Sequence, residues 1–196
     1  MIKVNEALKI MLGAVKQVES ENIPLAKGID RVLSEDIHAG SDIPGFDNSA
    51  MDGYAVRSSD TVNASKAKPK TLEVICDIKA GDDPKASLKE NQAARIMTGA
   101  IIPKGTDSVI MVENTQRAKG IGKEFVQIFK EVKLGENIRR KGEDIKKGEF
   151  VIPNGKKLNS AHIGILASLG MSRIHVYRKP RVAILATGDE VIEIDK

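Results

Sequence analysis

An unbroken apolar run near the end of the chain, Val182-Ala183-Ile184-Leu185-Ala186, constrains the fold more tightly than any other feature. A run without polar alternation suits a strand covered on both faces, as in a parallel sheet. It ends in Thr187-Gly188-Asp189-Glu190, polar residues of the kind found beyond the carboxyl ends of such strands. A strand of this type needs neighbours on both sides and helices over both faces, and none follow before Lys196. The expectation is a fragment of a longer protein. The alternative is a stray edge strand on the preceding domain.

Upstream, the apolar spacing is helical at both ends and strand-like between. Val4, Ala7, Leu8, Met11, Leu12, Val15 and Val18 form one stripe over residues 4–18, with Asn5 as N-cap. A short helix is expected from Ile29 to Ser34. Short apolar runs then recur between Gly/Pro turns at 54–56, 72–78, 94–98, 108–113 and 125–129, with 61–70 as an exposed linker. This pattern predicts a small antiparallel or barrel-like β domain. Beyond Gly135 lie a strand at 150–152, a helix capped by Asn159 and stopped by Gly170, and a strand at 174–176.

Composition removes several function classes. Of 196 residues only 3% are aromatic, with no Trp, 4 Phe and 2 Tyr. Base-stacking platforms need several exposed rings, so nucleic-acid binding by stacking is disfavoured. Charge is uneven: residues 1–60 hold 6 basic and 10 acidic side chains, and residues 117–157 hold 12 and 6. Such a split suits a small anionic ligand or a complementary subunit face, or else a solvated Lys-rich surface. Cys76 is alone, and His38, His162 and His175 have no ligand spacing, so no disulfide framework or zinc site is expected. The amphipathic N-terminus is not a signal peptide and no window is long enough to span a membrane, giving a cytoplasmic expectation.

Four strings carry possible chemistry. In Pro44-Gly45-Phe46-Asp47-Asn48-Ser49-Ala50-Met51-Asp52-Gly53-Tyr54, two carboxylates flanked by small residues could serve a metal or a ligand's donors. An Asx-type turn is the plainer reading of Asp47, while Asp52 stays open between the two. Thr98-Gly99 places a hydroxyl beside a close-approach position, or is simply a turn. Arg139-Arg140-Lys141 followed by Glu143 and Asp144 could clamp an oxyanion, with at most two of the cations acting together, or form a surface ion-pair cluster. Asp189 and Glu190 could hold Mg²⁺ for a phosphate-bearing ligand, or belong to a solvated acidic loop. The G-x-S-x-G, P-loop, H-E-x-x-H and C-x-x-C motifs are absent, which disfavours nucleophilic-serine, P-loop and zinc chemistry.

Taken in order, Ile43–Val56 (IPGFDNSAMDGYAV), Arg95–Asn114, Gly135–Glu149 and Pro180–Val191 resemble the MoeA family of molybdenum insertases, whose relatives include the gephyrin E domain. The resemblance covers essentially the whole chain, and the family's chains are about twice as long. It implies an α+β, multi-domain fold: a mixed α/β dimerisation body, an inserted small β domain, and the first strand of a truncated α/β molybdopterin-binding domain. The implied boundaries are 1–20 for an N-terminal helix docking on the missing α/β domain, 21–40 with 141–178 for the body, 41–140 for the insert, and 179–196 for the truncated domain.

The implied activity is insertion of molybdate into adenylylated molybdopterin, with Mg²⁺-dependent hydrolysis of the adenylate and release of AMP. This chain alone is expected to be inactive. By the resemblance Asp52, Thr98 and Glu190 are catalytic, with Asp52 and Glu190 as metal ligands. Arg139, Asp144, Thr187, Gly188 and Asp189 bind substrate. Asp52 and Thr98 are expected to act across a homodimer interface, with molybdopterin adenylyltransferase supplying the substrate and neither nucleic acid nor membrane as partner. The alternative is a gephyrin-like scaffold or peptide-binding module. A weaker rival is nucleic-acid binding through residues 117–157.

Overall fold

A computed structural model describes residues 2–185, 188, 190–192 and 194. The elements in chain order begin with helix α1 (Val4–Ala14) and strands β1 (Ser20–Pro24), β2 (Ile37–His38), β3 (Asn48–Ser49) and β4 (Gly53–Val56). Strands β5 (Lys70–Ile78), β6 (Gln92–Ile96), β7 (Ser108–Met111), β8 (Thr115–Gly120), β9 (Lys123–Ile128) and β10 (Ile138–Arg139) follow. The last are β11 (Phe150–Ile152), helix α2 (Ser160–Ser168) and β12 (Arg173–Tyr177).

The chain divides into two compact units, Met1–His38 with Phe150–Lys196, and Ala39–Glu149. The second unit therefore runs to Glu149 rather than ending at residue 140. Residues 141–149 are tied to its first residues, with Ile43 bridging Ile145. The Gly142 N–H donates to Pro44 O at 2.9 Å and the Gly148 N–H to Ala39 O at 2.7 Å.

In the first unit β1 pairs antiparallel with β12, and β2 with β11. Ile23, Leu25, Leu33, Ile37, Ile152, Leu158, Leu166, Ile174 and Val176 pack into one core beneath α2. Asn159 caps α2 reciprocally: its Oδ1 accepts from the His162 N–H at 3.0 Å, and its own N–H donates to His162 Nδ1 at 3.1 Å. Gly170, at φ +77°, ends the helix as expected.

Three expectations fail in this unit. The helix over 29–34 does not form, because Leu33 gives its N–H to Lys156 O at 3.0 Å and Val32 bridges Lys157. Those cross-chain bonds take the backbone groups a helix would need. Helix α1 stops at Ala14, its N-cap is Lys3 rather than Asn5, and none of its residues is buried. The apolar run at 181–185 is not a strand: Val182, Ile184 and Leu185 are more than three-quarters exposed, at 76%, 91% and 83%. A strand exists only through its ladder, and no described strand pairs with this one.

The second unit is built on a six-stranded sheet of order β7-β4-β6-β5-β9-β8. All its pairings are antiparallel except β5 with β6. Alternation along each strand sorts the core onto two faces. Tyr54, Val56, Leu72, Ile110, Val126 and Ile128 fill one, and Ala55, Ile78, Ala94, Ile96 and Val109 the other. Strand β8, TQRAKG, has no apolar alternation and forms because the turn at Gly122 (φ +70°) folds it back on β9. The sheet curls strongly: Arg117 on edge strand β8 reaches Tyr54 on β4, Nε to the hydroxyl at 3.4 Å, across three intervening strands. Gly53 is required where β4 passes β7, since a Cβ there would collide with the Ile110 carbonyl.

Candidate functional site

The second unit gathers three of the four strings into one constellation. Between β3 and β4, Ser49 closes a tight turn, its hydroxyl donating to Met51 O at 2.6 Å. That turn delivers Asp52 to the end of β6. Asp52 Oδ1 accepts both the Thr98 N–H and the Thr98 hydroxyl, each at 2.8 Å. The neighbouring backbone is stitched on both sides: the Gly99 N–H donates to Ser49 O at 2.8 Å and the Ser49 N–H to Ala100 O at 3.0 Å. Gly99 sits at φ +81°, so the turn that presents Thr98 depends on a residue without Cβ. Thr98 is thus both a turn residue and the clamp on Asp52.

The third string enters from the opposite side. Strand β10 pairs with β3, placing Arg139 opposite Asn48, and the Ala50 N–H donates to Asn137 O at 2.9 Å. Asn137 in turn donates its side-chain amide to Val109 O at 2.8 Å.

The three consecutive cations each take a different carboxylate. Arg139 pairs with Asp144, Arg140 with Asp47 at 2.7 Å, and Lys141 with Asp42 at 3.4 Å. Asp47 also accepts the Lys141 N–H at 2.8 Å. The local Asx turn expected for Asp47 is therefore replaced by a bridge across more than 90 residues of sequence. Sequence reasoning missed this role, along with those of Asp42 and Arg140. Its only trace was two acids in one loop string and a run of cations in another.

Electrostatically the site holds its carboxylates ionised. Two bonds from Thr98, the backbone one foremost, keep Asp52 below the usual carboxylate range. Asp47 is lowered chiefly by the Lys141 N–H and then by Arg140, and Asp42 chiefly by the Lys147 N–H. Asp144 holds Arg139 more firmly protonated.

Asp52 is exposed, anionic at neutral pH, and anchored through Oδ1, while Oδ2 takes no hydrogen bond among the described residues. That donor set fits Mg²⁺, which needs one or two carboxylates and fills its remaining positions with water and substrate oxygens. Among the described residues no three His, Cys, Asp or Glu side chains cluster as a closed protein-only metal cage. Of the fourth string, Gly188 and Glu190 belong to the other unit, and Glu190 is exposed. Thr187 and Asp189 lie outside the described residues.

A family profile described as the MoeA N-terminal region (domain I and II) matches residues 2–170. The chain belongs to the MoeA family. Among curated relatives, a molybdopterin molybdenumtransferase of Bacillus subtilis is 40% identical over 193 residues, covering 98% of this chain and 45% of the relative. One from Nostoc is 38% identical over 200 residues, covering 100% and 45%. A crystal structure of a molybdopterin biosynthesis MoeA protein from Pyrococcus horikoshii superposes with TM-score 0.81 at 37% identity, over 92% of this chain and 47% of that one. The mixed α+β architecture is thus the fold of MoeA proteins, and the chain spans about half the length of the relatives it matches. No helix among the described residues is long and apolar enough to cross a membrane.

Proposed function

We propose that this chain supplies the amino-terminal part of a molybdopterin molybdenumtransferase, acting in molybdenum cofactor biosynthesis. The proposed reaction inserts molybdate into adenylylated molybdopterin, hydrolysing the adenylate and releasing AMP. The observation that carries the reading is the Asp52 carboxylate, fixed through one oxygen by Thr98 and open at the other.

In this reading Asp52 and Glu190 hold Mg²⁺, which when bound neutralises phosphate oxygens on the adenylate. Asp52 presents Oδ2 in one direction because Thr98 fixes Oδ1, so no reorientation is needed when substrate arrives. Arg139 offers positive charge to molybdate or phosphate while Asp144 fixes its guanidinium plane. Thr187, Gly188 and Asp189 are the remaining proposed substrate-binding residues.

The proposed assembly is a cytoplasmic homodimer in which Asp52 and Thr98 complete a site with a second subunit. Its substrate comes from a molybdopterin adenylyltransferase, and α1 seats its apolar stripe on an α/β domain beyond this chain. Molybdate-dependent AMP release, measured on this chain beside a version extended to the length of its relatives, tests the reading. Release by the longer protein alone is expected. Release by neither would favour a scaffold or peptide-binding role.

A further inference from the structure

The curled face of the six-stranded sheet carries charged groups that the constellation around Asp52 does not use. Toward the interior of this face the side chains are apolar, from Val56 to Leu72, Val126 and Ile128. At its mouth they change character. Tyr54, Arg95 and Asp77 stand side by side on β4, β6 and β5, each opposite the next in register. Glu124 and Lys119 are opposite each other on β9 and β8. With Arg117 these groups line a cavity of about 40 Å³ that is open to solvent at its rim.

Arg95 is the anomaly. It lies on a central strand, half-buried, where alternation places an inward side chain, and its neighbours on that face are apolar or aromatic except at the mouth. Asp77 is its register partner, yet among the described residues no ion pair forms between Arg95 or Arg117 and either Asp77 or Glu124. Asp77 and Glu124 line the same cavity and attract Arg117, but a partly desolvated guanidinium not closed into an ion pair still gains from an anion that reaches it. Arg117 comes to the same place from the sheet's far edge, its Nε on the hydroxyl of Tyr54, which is only 2% exposed. Three cations and a phenol hydroxyl therefore converge on a space sized for a few water molecules or one small anion.

We infer that this cavity binds a protonated oxyanion of the hydrogenphosphate class. Arg95, Arg117 and Lys119 supply charge-assisted donors, and the Tyr54 hydroxyl completes the donor set. Asp77 and Glu124 have the complementary task. A carboxylate facing an anion is repulsive unless the anion carries a proton to donate to it. Hydrogenphosphate brings one such proton and dihydrogenphosphate two, both species being present near neutral pH, while sulfate brings none, so the carboxylates select against sulfate. The site shares none of Asp52, Thr98, Arg139 or Asp144, and its occupancy is independent of the proposed activity.

The test is binding of inorganic phosphate to this chain, followed by ³¹P NMR line broadening and by the thermal unfolding midpoint, against sulfate and chloride at equal ionic strength. Phosphate alone is expected to broaden and to raise the midpoint, with affinity falling about tenfold or more in Arg95→Gln and in Arg117→Gln. Arg117 lies on an exposed edge strand, so its variant keeps the test sound if Arg95→Gln fails to fold. A parallel titration with glycerol 2-phosphate, whose dianion carries no proton above its second pKa of about 6, is expected to show weaker binding than inorganic phosphate at pH 7.5; equal or tighter binding would overturn the role given to the carboxylates. No phosphate response beyond that of chloride, an equal response to sulfate, or unchanged affinity in folded Arg117→Gln would overturn the site itself.

Discussion

Thr98 gives both its backbone N–H and its hydroxyl to the same oxygen of Asp52, across 46 residues of sequence. A single oxygen is thereby held at two points while the other is left for chemistry. Replacing Thr98 by Val keeps the backbone bond and removes the hydroxyl one. The Asp52 carboxyl is then expected to titrate at higher pH than in the parent, moving back toward the ordinary range without reaching it. Carboxyl ¹³C chemical shifts followed through an acid titration measure this, and an unmoved Asp52 would contradict the assignment.

Asp47 ties the Asp52 loop to the segment after β10 through the Arg140 guanidinium and the Lys141 N–H. Asp47→Ala loses both and leaves Arg140 unpaired. The groups are substantially solvated, so the expected cost is about 1 kcal/mol in urea unfolding. Arg140→Gln, which spares the backbone bond, should cost less than Asp47→Ala. The reverse order would mean that the ion pair, not the bond from Lys141, fixes the loop.

Gly53 allows β4 to approach the Ile110 carbonyl of β7 where any Cβ would collide. Backbone atoms cannot rotate away as a side chain does. Gly53→Ala is therefore expected to destabilise the chain by about 3 kcal/mol or more, in the range of core overpacking and backbone strain. A fully stable Gly53→Ala variant would show that β4 and β7 are not paired in this register.

Acid sensitivity follows from the lowered carboxyls. Asp42, Asp47 and Asp52 all titrate lower in the folded chain than the ordinary carboxylate value. The unfolded state thus takes up protons first as pH falls. Their contribution is present above the ordinary carboxylate pKa, and it is lost as pH descends through the folded values. Thermal midpoints should change little from pH 7 to about 5 on this account and drop below about 4. The joint variant Asp42→Asn, Asp47→Asn should be less stable at pH 7 and show a shallower acid decline.

Much of the second unit was legible because its signals are local. The strands around Tyr54–Val56, Leu72–Ile78 and Ser108–Met111 carry their own apolar runs and turns, and in the first unit Asn159 likewise announces α2 by a cap. Strand β8 was not legible, since its six residues owe their conformation to pairing with β9. The helix expected at 29–34 and the strand expected at 181–185 failed for the same physical reason in opposite senses. Cross-chain hydrogen bonds override helical spacing in the first, and a missing ladder defeats strand spacing in the second. At the site, residue types raised Asp52, Thr98, Arg139 and Asp144 beside plainer turn and ion-pair readings, and only the family resemblance gave them roles. Spacing could not show that Asp52 meets Thr98 or that Asp47 meets Arg140, because long-range closure fixes both pairs.

The most direct test of the central claim is molybdate-dependent AMP release by the protein at the length of its relatives, comparing the parent with Asp52→Ala. Circular dichroism of both would confirm equal folding. Release by the parent is expected, with a loss of about a hundredfold or more in the variant, the scale of removing one preorganised charged group from a reaction centre. AMP release by a folded Asp52→Ala at the parent's rate would contradict that claim and remove Asp52 from the chemistry.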